Sequence, residues 1–363
     1  MSNTYSCAVQ KNKYNFFLFL SLAFQMAFGQ AEIFEFEHGG FNRQYYLYLP
    51  DSICHDDPLV FVFHGFGSSA STIMNYSEMN NIASENNFAV CYPQGTTDNN
   101  GNSFFNVGYD FHQTEVVNDV DFIVELAYHL QSEYNLSPIN TFATGMSNGG
   151  ELCYLMACQN SNVFRSIAPV SGTMMNWFID TCLPQKPTSV LEIHGTNDQV
   201  TWWDGDIDNT GGWGAYAGVD EIIQFWSDIN LCMSFELDTL PNISSIDGSY
   251  IISEKNIDCM NNNEVWLYRI INGGHDWPGS SGNMDINSSS TIWEFFKKFL
   301  IEYRIGDVDF NNKVNIYDIL LISDHIINNS NYIEYLMDLN SDRIVDFNDI
   351  SSILIFILNY QTY

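Results

Sequence analysis

The sequence predicts an α/β domain built on a mainly parallel sheet with helices on both faces, followed by a small all-α unit. Three observations carry this. Short, almost continuous apolar runs recur between residues 30 and 303, as strands covered on both faces require. Longer segments with apolar residues at three- and four-residue steps lie between them. After Tyr303 the pattern gives way to two acidic segments that resemble each other, "GDVDFNNKVNIYDILLISDHI" and "MDLNSDRIVDFNDISSILIFI".

Taken in chain order, Lys11 and Lys13 precede an apolar run from Phe16 to Phe28, with small Ala27 and Gly29 behind it. That is the pattern of an export signal, so residues 1–29 are expected to be a signal peptide cleaved after Gly29, and the mature protein to be secreted. The run is short for a membrane span, and no later segment offers a better one. Strands are expected at Pro58 to His64, Phe88 to Tyr92, Asn140 to Thr144, Ser166 to Val170, Ser189 to His194 and Glu264 to Ile270. A helix is expected over Glu115 to Tyr134, where Val116, Val120, Ile123, Val124, Ala127 and Leu130 share a face. The run "STIWEFFKKFLIEY" closes the domain, which sets the expected units at 30–303 and 304–363.

Composition narrows the function classes. With 44 Asp and Glu against 12 Lys and Arg, the formal charge of −32 repels a phosphate backbone and argues against nucleic-acid binding. Eight cysteines, one of them Cys7 in the signal, leave an odd number in an oxidising compartment, so at least one thiol stays unpaired. Cys153 is the expected free, packed thiol, while Cys54 and Cys91 have no assigned partners. The absence of a CxxC pair or a Cys/His cluster argues against zinc.

The chemistry centres on "TGMSNGGE", where Gly145, Ser147 and Gly149 form G-x-S-x-G between an apolar strand and a helix-compatible stretch. A sharp strand-to-helix turn lifts the serine oxygen clear of the backbone, the glycines relieve crowding, and the helix N-terminus favours nearby negative charge. A serine hydroxyl needs a histidine to take its proton and a carboxylate to orient that histidine. In α/β-hydrolases the order is serine, acid, histidine. Of the histidines after Ser147, His325 lies in the terminal repeat and His194 leaves little room for an acid before it. His275, in the Gly-rich "NGGHDWPG", is the expected base. Asp198 closely follows a predicted strand and is the expected orienting acid, with Asp204, Asp206 and Asp208 as runners-up. Backbone donors for the oxyanion are expected from Asn148 and from the "HGF" turn at His64, Gly65 and Phe66, with Phe66 preferred over Gly65. Trp202, Trp203 and Trp277 are expected to touch substrate, with Phe104, Phe105, Trp213 and Tyr216 nearby.

The ordered set "HGFGSS", "GMSNGG", "HGTNDQV" and "GGHDWPG" resembles the secreted esterases grouped with polyhydroxybutyrate depolymerases and with the feruloyl and acetylxylan esterases of carbohydrate esterase family one. The resemblance runs over most of residues 35 to 300. It implies an α/β-hydrolase fold, Ser147, Asp198 and His275 as the triad, and the disulfides Cys158 with Cys182 and Cys232 with Cys259. Where the family has "HGC", Phe66 stands here, which a backbone donor survives. The implied activity is removal of feruloyl or acetyl esters from plant polysaccharide, with polyester depolymerisation as the alternative. A non-catalytic, calcium-dependent adhesion or scaffold-client protein is the rival from another class.

The terminal repeats fit a calcium loop, which takes oxygens at its positions one, three, five, seven, nine and twelve. The first offers Asp307, Asp309, Asn311, the Lys313 carbonyl, Asn315 and Asp318, and the second Asp338, Asn340, Asp342, the Ile344 carbonyl, Asp346 and Asp349. At position six stand Asn312 and Arg343, and arginine suits the sharp turn less well. Residues 306 to 360 resemble a type I dockerin, which implies structural calcium and a cohesin-like partner on a scaffold or cell surface. The Ser-Thr pair usual at positions ten and eleven is replaced by Ile316 with Tyr317 and by Phe347 with Asn348.

Overall fold

The computed structural model describes residues 30–302, 305–309, 311, 313–328, 334–340 and 344–360. The expected signal peptide, and Asn312, Asp342 and Arg343, lie outside the described residues. The chain divides into two compact units, one ending at Leu300 and the other beginning at Ile301.

In the first unit, β1 (Glu32–His38) and β2 (Phe41–Tyr48) form an antiparallel hairpin that leads into β3 (Leu59–Phe63) and β4 (Ala89–Pro93). The short β5 (Thr96–Thr97) and β6 (Ser103–Phe104) pair only with each other. Then come β7 (Thr141–Met146), β8 (Ser166–Val170), β9 (Ser189–Gly195), β10 (Ser234–Thr239), β11 (Tyr250–Ile257) and β12 (Val265–Ile271). Ten strands make one sheet in the order β1-β2-β4-β3-β7-β8-β9-β12-β11-β10. The six from β4 to β12 in that order are mutually parallel, and every pairing outside them is antiparallel. All six parallel strands match expected ones to within two residues at each end.

Burial explains the pattern. On β3, Leu59, Phe61 and Phe63 enter one core and Val60 and Val62 the other, so every residue of the strand is apolar. Helices cover both faces, as a parallel sheet demands. They are α1 (Ala70–Ser77), α2 (Met79–Asn86), α3 (Asp119–Tyr134), α4 (Asn148–Gln159), the single turn α5 (Asn176–Ile179), α6 (Val219–Ile229) and α7 (Ser288–Lys297). Residues of α3, α4 and α6 fill one core, and residues of α1, α2 and α7 the other. The helix expected from Glu115 begins at Asp119 because the Asn118 side chain caps it, accepting from the Asp121 N–H. Val116, counted on its apolar face, is 84% exposed.

The second unit holds α8 (Ile316–Asn328), α9 (Glu334–Met337) and α10 (Phe347–Tyr360) around Val308, Ile319, Ile322, Met337 and Ile353.

Candidate active site

Ser147 joins β7 to α4 with φ 57° and ψ −121°. A non-glycine residue in such a region costs about 1–3 kcal/mol and persists only where its surroundings impose it. Here the imposition is visible. A Cβ on Gly149 would lie 2.4 Å from the Phe63 carbonyl oxygen, and one on Gly145 would lie 2.7 Å from Gly149 backbone. The start of α4 is therefore pressed onto the end of β3, which only glycine allows. The Ser147 N–H donates to Val170 O at 2.9 Å, and the Glu151 N–H to Ser147 O at 2.9 Å. Asn148 is the first residue of α4, so its N–H has no intrahelical acceptor. Its side chain is clamped to Phe105, accepting from the Phe105 N–H at 2.8 Å and donating to Phe105 O at 3.0 Å.

Asp198 and His275 meet. Asp198 is buried in the loop after β9, where one oxygen accepts the N–H groups of Val200 and Thr201 at 2.8 and 2.9 Å. The other lies 2.7 Å from His275 Nδ1. A carboxylate there takes the Nδ1 proton in hydrogen bonding and leaves Nε2 as the basic nitrogen. The histidine loop is packed backbone against backbone on the end of β9, since a Cβ on Gly195 would lie 2.4 Å from the carbonyls of Gly273 and Gly274. Ser171, just after β8, donates to Asp276 O at 3.5 Å. The loop thus reaches the strand beside β7, whose end carries Ser147, and all three residues gather at the C-terminal edge of the parallel strands. The Ser147 hydroxyl makes no hydrogen bond among the described residues, so the histidine and the acid are joined and the serine is not bonded to them. Such bonds commonly tighten only with substrate present.

The turn after β3 abuts the serine, a Cβ on Gly65 falling 3.4 Å from Ser147 Cβ. His64 holds this turn. Its Nε2 accepts the Gly95 N–H at 3.0 Å, so its proton sits on Nδ1 and is donated to Gly65 O at 2.8 Å. Burial, with Arg43 nearby, lowers its pKa to about 4 despite the Gly65 bond, and the ring stays neutral. The N–H groups of Gly67 and Ser68 are engaged by Ser103 O and Gly65 O, whereas those of Gly65 and Phe66 have no acceptor among the described residues.

The aromatic expectations divide. Trp277 is 1% exposed, within the core below α7, and its indole N–H donates to Ser289 Oγ at 3.2 Å. It anchors the histidine loop and offers substrate no surface, which corrects its expected role. Trp203 is half-buried, with the Arg269 guanidinium 4.4 Å above it and its N–H bonded to Asp220. Trp202 keeps 37% of its surface. Phe104, Phe105 and Tyr216 are buried. Beside the turn after β3, Phe66 packs with exposed Phe111, with Trp213, one of the expected aromatics, and with the buried Tyr109, with ring centroids 5.3 to 6.2 Å from Phe66. The cluster "YDFH" at Tyr109 to His112 carried the missed signal.

The runner-up acids are spoken for or remote. Asp206 accepts from Thr210 N, Thr210 Oγ1 and Gly211 N, which holds the loop it sits in, and no bond links Asp204 or Asp208 to His275 among the described residues. Glu151, one turn into α4, was also missed. It accepts the Tyr109 hydroxyl, and burial pushes its pKa up to about 7 against the pull of the Tyr109 and Asn148 bonds. Cys158–Cys182 and Cys232–Cys259 are disulfides, as the resemblance implied. Among the described residues Cys91 and Cys153 are free and buried.

In the second unit, Asp307, Asp309 and Asp318 bring carboxylate oxygens within 4.8 Å of one another. Asp318 organises its loop by accepting from the N–H groups of Val308, Asp309 and Asn315. Asp349 does the same with Leu339, Asn340 and Asp346. Asn311 and Asn315 accept from the N–H groups of Lys313 and Tyr317. A donor set of carboxylates, amide oxygens and the Lys313 and Ile344 carbonyls is hard, and it suits a cation of the calcium type.

This sheet order, the positive-φ serine at its C-terminal edge and the bonded histidine–acid pair define an α/β-hydrolase-like protein. The family model described as Esterase PHB depolymerase matches residues 43–219. Among curated relatives, the bifunctional acetylxylan esterase/xylanase XynS20E of Neocallimastix patriciarum is 25% identical over 161 residues, 44% of this chain and 22% of that one. Poly(3-hydroxyalkanoate) depolymerase C of Paucimonas lemoignei is 22% identical over 241 residues, 64% of this chain and 55% of the relative. Feruloyl esterase B of Piromyces equi is 24% identical over 247 residues, 67% and 42% of the two chains. This chain therefore spans well under two thirds of the length of each of these relatives. The solved acetyl xylan esterase from Aspergillus awamori shares the fold, with a TM-score of 0.51 at 14% identity over 73% of this chain and 99% of that one. These relatives and structural neighbours are esterases and depolymerases by name.

Proposed function

We propose that this is a secreted serine carboxylic-ester hydrolase that removes feruloyl or acetyl groups from plant polysaccharide. The observation that carries the proposal is the 2.7 Å bond from His275 Nδ1 to Asp198 at the sheet edge where Ser147 heads α4. In the proposed cycle His275 Nε2 takes the Ser147 proton as Oγ bonds to the acyl carbon, and the oxyanion receives the Phe66 and Asn148 N–H groups. The C–O bond to the alcohol then breaks, His275 returns the proton to that oxygen, and an acyl-enzyme remains. Water, deprotonated by His275, repeats the sequence to release the acid and Ser147.

The aromatic cluster around Phe66 supports a flat acyl group or sugar ring as the partner, and the names of two of the relatives point the same way. The second unit is proposed to fold around calcium and to dock a cohesin-like scaffold. Bound there, the cation would supply charge neutralisation for Asp307, Asp309 and Asp318, and in the second loop for Asp338, Asp346 and Asp349. A second reading, depolymerisation of polyhydroxybutyrate or another polyester, is favoured by the family model's description and by the Paucimonas relative.

A substrate panel separates them. Release of ferulate or acetate from xylan supports the first reading, and a clear preference for hydroxybutyrate films replaces it with the second. The Ser147→Ala variant is expected to lose p-nitrophenyl acetate turnover by at least about four orders of magnitude. Equal rates with wild type would instead favour a binding protein.

A further inference from the structure

Behind the candidate acid lies a second, wholly buried histidine that the proposed cycle does not use. His194 is the penultimate residue of β9, and the strand's alternation puts it on the same face as Glu192. Its Nδ1 is 2.9 Å from Glu192 Oε1. Its Nε2 is 2.9 Å from Thr201 O, which can only accept, so Nε2 carries a proton. The same Nε2 is 3.5 Å from Asp198 Oδ2, the oxygen that His275 addresses. The other Glu192 oxygen accepts the Tyr154 hydroxyl of α4 at 2.8 Å. A continuous buried chain thus runs from Tyr154 through Glu192, His194 and Asp198 to His275.

Resting on the proposed serine mechanism, we propose that His194 is a positioning residue, which holds the Asp198 loop by its bond to Thr201 and sets a positive charge against the same Asp198 oxygen that His275 addresses. The acid then sits between two imidazoles rather than beside one. The groups facing His194 from every packed element are consistent with a protonated ring. Glu192 comes from its own strand, Asp198 and Thr201 from the following loop, and the Trp203 ring lies edge-on at 5.9 Å, while Tyr154 of α4 reaches Glu192. Arg269, its register partner on β12, is paired with Asp220 and Glu254 and stacks on Trp203. Burial opposes charge on His194, but the bond and charge of Glu192, with Asp198 and Thr201, outweigh it and raise the pKa above 6.5. Glu192 is itself pushed up to about 7 by burial, against the pull of His194 and Tyr154. Its carboxylate accepts the Tyr154 O–H, and on this proposal the proton shared across the 2.9 Å contact sits on His194.

Because both rings address one oxygen, a positive charge on His194 opposes the positive charge that His275 takes up in the proposed cycle. The test is the pH dependence of kcat/KM on p-nitrophenyl acetate. In Glu192→Gln, which keeps shape and removes the counter-charge, and in His194→Gln, the acid limb is expected to move to higher pH by about one unit. A role confined to folding would lower Tm or scale the whole profile evenly, and an unmoved limb in a folded variant overturns the inference. Should both variants fail to fold, imidazole nitrogen NMR of the wild-type protein decides it. His194 with both nitrogens protonated at pH 6 supports the inference, and a bare Nδ1 overturns it. Failure of the parent reading is distinguishable, because it appears as residual turnover in Ser147→Ala whatever the profile does.

Discussion

Replacing Gly149 with alanine probes the contact that shapes the serine turn. The new Cβ would meet the Phe63 carbonyl oxygen at 2.4 Å and Phe63 Cβ at 2.7 Å. Neither neighbour can rotate away, because one is the backbone of a central strand and the other is attached to it. The start of α4 must therefore retreat from β3 by roughly 1 Å to restore van der Waals separation. Overpacking of this kind costs about 1–3 kcal/mol. Since Ser147 and the Asn148 N–H ride on that end of the helix, a displacement of about 1 Å is expected to lower kcat about a hundredfold, beyond what the stability loss explains. Urea unfolding followed by tryptophan fluorescence, with p-nitrophenyl acetate kinetics on the folded fraction, separates the two effects. Gly65→Ala supplies the contrast in stability, because its Cβ meets only ordinary contacts at 3.4 Å and should shift stability by no more than about 0.5 kcal/mol. A Gly149→Ala protein as stable and as active as wild type would refute the packing argument.

Further outcomes follow from the same contacts. His64 has a folded pKa of about 4 against an ordinary 6.5, so between those values the unfolded chain binds the extra proton and this residue's contribution to stability falls as pH drops. Glu151 and Glu192, raised to about 7, act in the opposite sense over an overlapping range. The His64 part is therefore read as the stability difference between wild type and His64→Gln, which should shrink by about 3 kcal/mol from pH 7 to pH 4, and a pH-independent difference would refute it. Removing the Cys232–Cys259 bridge, which spans 27 positions, should cost about 3.5 kcal/mol through loop entropy, measured by urea unfolding as a lowered stability with a slope no smaller than wild type. Chelation should render residues 306–360 protease-sensitive while esterase turnover persists, and identical digestion with and without calcium would count against the loops.

The parallel centre of the sheet was legible because burial on both faces writes itself as unbroken apolar runs such as "LVFVF". The outer β10 was not, since its "SFELDT" is almost wholly exposed and carries no burial pattern. The serine turn, Asp198 and His275 could be read from order and context, because an edge of strand ends brings them together whatever the loops do. Trp277 could not, because a loop residue beside a histidine has no periodicity to tell which way its ring points. The Glu192–His194 pair shows in sequence only as two polar residues on one strand face. Its meaning depends on Tyr154 and Asp198, which the fold supplies.

The mooring of the histidine loop bears on how this site fails under heat. Trp277 is sunk into the core, its N–H groups tied to Tyr76 of α1 and Ser289 of α7, and Ser289 is tied in turn to Ser77. The candidate base is thus bolted to two helices, α1 and α7, two residues downstream of its ring. Thermal inactivation should therefore coincide with the cooperative melting of that hydrophobic layer instead of preceding it as a local loosening.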